Sequence, residues 1–135
     1  MEAAVKQFRK RNAILACLQG TTSHPSAEMV YEMLQKEHPD ISLATVYRNL
    51  ARFKSQGLVS SVATVRGVER FDAMPHPHVH FICTGCDAVI DLPQMEIPES
   101  LSEEAEGISG YRVQDCRLTF TGLCDKCAKS KTQNL

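Results

Sequence analysis

No apolar run in this chain of 135 residues approaches the ~20 residues that a helix needs to cross a membrane. The first residues, MEAAVKQFRKR, lack the apolar core of a secretory signal. Low-complexity tracts and internal repeats are missing too. Their absence excludes solenoids and, with an apolar fraction of 43%, argues against disorder except at the last few residues. Bulk charge is also missing: 15 Lys and Arg stand against 16 Asp and Glu, a formal net charge of −1. A strongly basic protein is thereby excluded, and a cytoplasmic chain of one domain or two small ones is expected.

The near-zero charge is a cancellation. Residues 1–72 hold ten basic and seven acidic side chains, a balance of +3. Residues 73–135 hold five basic and nine acidic, a balance of −4. Such asymmetry points to nucleic acid as the partner of the basic half. Six cysteines in a reducing compartment indicate metal or redox chemistry rather than disulfides.

The basic half predicts three helices and a hairpin. Residues 6–19 place Ile14, Leu15 and Leu18 on one face, with Gly20 as a stop. Ser26 is a cap for a second helix whose apolar face is Met29, Val30, Met33 and Leu34. EHPD at 37–40 forms a turn, and Ser42 caps a third helix that ends at Gly57. In that third helix Val46, Leu50 and Phe53 face the core. Ala44, Arg48, Ala51 and Ser55 fall on the opposite side, flanked by Thr45, Tyr47 and Arg52. Small residues let a helix approach a surface closely, and the arginines supply phosphate or base contacts, as on a recognition helix in a major groove. Beyond Gly57, Val59, Val62 and Val65 are strand formers and Arg66-Gly67 is a turn. The pattern is a winged helix-turn-helix with Arg66 at the wing tip. Helices and a hairpin also occur in protein-interaction domains, so pattern alone leaves both open.

The acidic half carries Cys83-Thr-Gly-Cys86 and Cys124-Asp-Lys-Cys127, 37 residues apart. Two such knuckles supply four thiolates, a tetrahedral set suited to structural Zn²⁺ in preference to redox pairs or core cysteines. Each follows a strand-like run, HVHFIC and RLTFTGLC. On a strand over 78–83, His78 and His80 share a face and form half of a second metal site. Asp72 and Asp91 can add oxygen ligands, and a mixed His/Asp set suits Fe²⁺, Mn²⁺ or Zn²⁺.

Taken together, HPSAEMVYEML (24–34), SLATVYRNLARFKSQGLV (42–59), RFD (70–72), HVHFICTGC (78–86) and the knuckle at 124–127 resemble the Fur family of metal-dependent repressors over nearly the whole chain. The resemblance implies an α+β homodimer: a winged-helix DNA-binding domain at 1–72, a hinge at 73–77, and an α/β dimerisation and metal-binding domain at 78–135. It implies structural zinc at Cys83, Cys86, Cys124 and Cys127. It also implies a regulatory Fe²⁺ or Mn²⁺ at His24, Asp72, His78, His80 and Asp91, and a near-palindromic double-stranded DNA operator. DNA contacts are expected from Thr45, Tyr47, Arg48, Arg52 and Arg66. Ferric-uptake regulators commonly carry Glu where this chain has Asp72 and Asp91; peroxide-sensing members resemble it in having Asp at both. In those sensors Fe²⁺ and peroxide oxidise a histidine ligand and the repressor leaves DNA. His24 and His78 are the matching positions.

Three departures stand out. The leading helix of many relatives is expected to be shortened or missing. Pro77, Val79 and Cys116 stand where some ferric regulators hold an additional site, which is expected to be absent. His76 is extra and is expected to face solvent, and 96–107 reads as a surface helix. An iron-uptake regulator is the nearest alternative. A non-haem metal enzyme and a zinc-held interaction module are rivals from other classes.

Overall fold

A computed structural model describes residues 2–73 and 79–133. The chain divides into two compact units, Met1–Pro75 and His76–Leu135. His76, Pro77 and His78 lie outside the described residues.

The first unit contains α1 (Glu2–Gln19), α2 (Ala27–Leu34), α3 (Leu43–Ser55) and a hairpin of β1 (Ser60–Val65) and β2 (Val68–Asp72). Helix α1 begins four residues before the apolar pattern does. Its first turns expose Val5 and Phe8, so packing places only Ile14 and Leu18 in the core. Both serine caps form as expected: Ser26 Oγ accepts the Met29 N–H at 3.2 Å, and Ser42 Oγ accepts the Thr45 N–H at 3.1 Å. Gly57, at φ +76°, takes the left-handed conformation that ends α3. Arg66 and Gly67 both have positive φ, the two-residue turn whose twist matches a hairpin.

Ile14, Val30, Ile41, Val46, Leu50, Phe53 and Phe71 form the centre of this core. One expectation is corrected. Met33 is half exposed, because the buried stripe of α2 is Ala27, Val30 and Leu34 and Met33 lies beyond its edge. The guanidinium of Arg11 stands 5.2 Å from the centroid of the buried Phe53 ring.

The second unit contains β3 (Val79–Cys83), β4 (Val89–Leu92), α4 (Glu99–Ser109), β5 (Thr119–Gly122) and α5 (Asp125–Gln133). Its sheet has the order β4-β3-β5, with β4 antiparallel and β5 parallel to the central β3. The expected surface helix is α4, shifted a few residues later and closed by Gly110 at φ +72°. Among the described residues, the only buried hydrophobic side chains of this unit are Val79, Cys83 and Val89. Ile90, Leu101, Ile108, Tyr111 and Phe120 are exposed. So small a buried set does not hold a unit of this size by itself. No helix among the described residues is long and apolar enough to cross a membrane.

The packing of α3 generates a stability prediction. Phe53→Ala should cost about 3–5 kcal/mol and Ser42→Ala about 1 kcal/mol in denaturant unfolding of the first unit's transition. A Phe53→Ala cost as small as that of the cap would contradict the placement of its ring.

Candidate metal centres

Cys83 closes β3, and the chain turns back immediately. The Cys83 N–H donates to the Ala88 carbonyl and its carbonyl accepts the Asp87 N–H, both at 2.9 Å. The Thr84 N–H donates to the Gly122 carbonyl at 2.7 Å, which brings the first knuckle to the end of β5, where the second begins. Cys124 then donates its N–H to Cys83 Sγ at 3.3 Å, and Cys127 sits in the first turn of α5. All four sulfurs lie within 4.8 Å of one another, and Cys86 Sγ is 3.9 Å from Cys124 Sγ. Sulfurs about 2.3 Å from one tetrahedral ion stand about 3.8 Å apart, so this cluster fits Zn²⁺.

The thiol acidities show the same crowding. The Cys124 N–H holds the Cys83 thiol down to about 6. Hydrogen bonding to Cys83 and Cys124 pushes the Cys127 thiol up to about 12. One sulfur ionises readily and another resists, so a cation is needed to keep all four ionised together. Zinc uptake must therefore release protons, and its affinity must fall as pH falls.

Gly85 lies inside the first knuckle, and a Cβ there would approach Cys127 Sγ to 2.9 Å and its Cβ to 3.1 Å. Its place between Cys83 and Cys86 gives Gly85 no evident role in the sequence alone. Only packing against the second knuckle reveals it.

The His/Asp residues appear as two pairs, one in each unit. In the first, His24 Nδ1 is 3.8 Å from Asp72 Oδ2, and both residues are buried. His24 stands in the loop before α2 and Asp72 ends β2. In the second, His80 and Asp91 are register partners across β3 and β4, with Nε2 and Oδ1 3.3 Å apart. Two donors about 2.1 Å from one ion lie about 3.0–3.4 Å apart. The His80 pair matches that spacing and the His24 pair is a few tenths wider. Imidazole with carboxylate suits Fe²⁺ or Mn²⁺. His78 lies outside the described residues.

On α3, Ala44, Arg48, Ala51 and Ser55 are exposed, as are Tyr47 and Arg52. Arg48 donates to Thr45 Oγ1 at 3.1 Å. The Tyr47 hydroxyl donates to the Glu28 carboxylate, which holds that carboxyl below its ordinary range. Lys10 and Arg11 of α1 join Arg48 and Arg52 of α3 in lining one groove of about 390 Å³. Arg66 is exposed at the hairpin tip.

Residues 2–121 match the family model described as the ferric uptake regulator family. The chain belongs to this family. Its fold is accordingly an N-terminal winged helix followed by an α/β unit. It is 33% identical over 130 residues to the peroxide operon regulator of Bacillus subtilis (strain 168), covering 96% of this chain and 89% of that one. Among solved structures it is similar to the Campylobacter jejuni peroxide stress regulator, with a TM-score of 0.77 and 30% identity over 93% and 94% of the two chains. It is also similar to the Vibrio cholerae ferric uptake regulator, with a TM-score of 0.70 and 30% identity over 85% and 88%.

For this member of the ferric uptake regulator family, the cysteine cluster gives a direct test. Cys124→Ser and Gly85→Ala should each lose zinc, read as metal content per chain, together with the cooperative unfolding of the second unit. Full zinc content and unchanged melting in both variants would contradict the assignment.

Proposed function

We propose that this chain is a metal-dependent transcriptional repressor of the cytoplasm that binds double-stranded DNA as a homodimer and responds to peroxide. The observation that carries the reading is a winged helix with an exposed Arg48 face in the same chain as two His–Asp pairs. The names of the relatives support the peroxide subtype. So does Asp, rather than Glu, at both 72 and 91.

In this reading the regulatory ligands are His24, Asp72, His78, His80 and Asp91, acting on one Fe²⁺ or Mn²⁺. Iron held there would supply the electrons that reduce peroxide beside the imidazoles. The chain's own part is to present His24 and His78 as oxidation targets and to lose its hold when one is modified. Metal can shift the balance between DNA-competent and incompetent forms only by its differential affinity for them.

On DNA, Arg48 and Arg52 supply base-edge or phosphate contacts, and Arg66 reaches the backbone or minor groove from the wing. Thr45 aims the Arg48 guanidinium, and Glu28 restrains the Tyr47 ring. The first half's balance of +3 is modest, so affinity rests on these contacts and on the spacing of two recognition helices in a dimer. The exposed apolar side chains of β4, β5 and α4 supply a surface for the partner copy.

Gel shifts with genomic fragments should show complexes in Mn²⁺ that weaken without it. Arg48→Ala should cost about 1–3 kcal/mol of operator binding. No metal-dependent complex on any fragment would overturn the DNA reading. After treatment of the Fe²⁺ form with H₂O₂, the peptide holding His24 or His78 should gain the mass of one oxygen atom. Unmodified peptides with retained DNA binding would leave an iron-uptake regulator as the better reading.

A further inference from the structure

Three successive residues of β2 address three successive residues of the loop before α2. Arg70 donates Nη2 to the Ser23 carbonyl at 2.8 Å and Nε to the His24 carbonyl. The Phe71 N–H donates to the Pro25 carbonyl at 3.1 Å. Asp72 places its carboxylate 3.8 Å from His24 Nδ1. Arg70 is itself buried, at 8% exposure. The residue it grips is unusual: His24 has φ +50°, the left-handed region that non-glycine residues seldom occupy.

We propose that Arg70 is a positioning residue for the regulatory metal ligand: its guanidinium holds the 23–24 backbone in the left-handed turn that aims the His24 imidazole at Asp72. The inference rests on reading His24 as a ligand. A guanidinium is a planar fork whose donors have fixed relative directions, so two carbonyls bound to it are fixed relative to each other. Those carbonyls flank the His24 Cα, and the direction of the imidazole follows from that backbone. Phe71, between the two polar residues, points into the core and fixes β2. One strand thus sets both the carboxylate and the turn that carries the imidazole. A lysine has three donors on one compact, freely rotating ammonium, so it can reach both carbonyls without fixing their relative directions.

The test uses the full chain with its zinc retained and measures Mn²⁺ affinity by calorimetry for wild type, Arg70→Gln, Arg70→Lys, His24→Ala and the double variant His24→Ala/Arg70→Gln. Arg70→Gln should weaken Mn²⁺ binding by about tenfold or more, the usual scale for a residue that orients a ligand, while zinc content stays unchanged. Arg70→Lys should lose less. In the His24→Ala background, Arg70→Gln should cost nothing further, because the imidazole it orients is gone. That silence separates positioning from general structural support, which would cost the same in both backgrounds.

Arg70→Gln within twofold of wild type, or an equal loss with and without His24, would overturn the inference. If Arg70→Gln fails to fold, Arg70→Lys is compared in both backgrounds, and an equal loss overturns it. If His24→Ala binds Mn²⁺ like wild type, the reading of His24 as a ligand falls first. If His24→Ala loses binding and Arg70→Gln does not, only the positioning role falls.

Discussion

The convergence of four sulfurs is the constraint on which the second unit depends. Among its described residues the sheet has three short strands, the buried apolar set is three residues, and Ile90, Leu101, Ile108, Tyr111 and Phe120 are exposed. Hydrophobic burial of that size does not offset the entropy of ordering the chain. Zinc bound by thiolates changes the balance, because binding free energy becomes folding free energy where no site preexists in the unfolded chain. The local structure serves this convergence: β3 ends at Cys83, β5 ends beside Thr84, and α5 begins just after Cys124. Gly85 leaves the space into which Cys127 fits.

The first unit has the opposite economy. A continuous core of aliphatic residues and Phe53 holds it, and its polar devices work on precision. Serine caps start α2 and α3 where the loops need them to start. Arg70 and Phe71 bind consecutive carbonyls of one loop, which carries His24 in a conformation its own backbone would not choose. The strand that ends at Asp72 begins at the wing turn, so the wing and the His24–Asp72 pair share one register against β1. The bulge between Ser61 and Ala63 belongs to that same register.

Electrostatics ties the two chemistries together through proton and charge balance. The crowded thiols spread from about 6 at Cys83 to about 12 at Cys127, so near neutral pH a bound cation is what holds all four ionised together. In the basic half the exposed face of α3 carries its charge on Arg48 and Arg52. Tyr47 is held by an acidic neighbour from α2 instead of standing loose.

Local rules made much of this legible. Periodicity placed Val46, Leu50 and Phe53 inside and Arg48 outside, and Ser26 and Ser42 marked helix starts, because helical spacing and capping depend on near neighbours in the chain. Cysteine spacing marked the four-sulfur cluster for the same reason: a knuckle is a local turn. Met33 escaped the periodic reading because the exact centre of a buried stripe is set by the helices that pack on it. Glu28 stands in the first turn of α2, and its bond to Tyr47 appears only when α2 and α3 are adjacent. Arg70 and Gly85 lie inside the RFD and CTGC segments, but nothing local showed what either contacts. Sequence by itself thus determined the element types, the family and the donor chemistry, each written in short-range patterns. Tertiary structure alone decided the contacts that reach across 42 to 48 positions: the 3.8 Å approach of Asp72 to His24, the fork of Arg70 on its loop, and the space Gly85 leaves for Cys127, since those distances close only when the chain is folded.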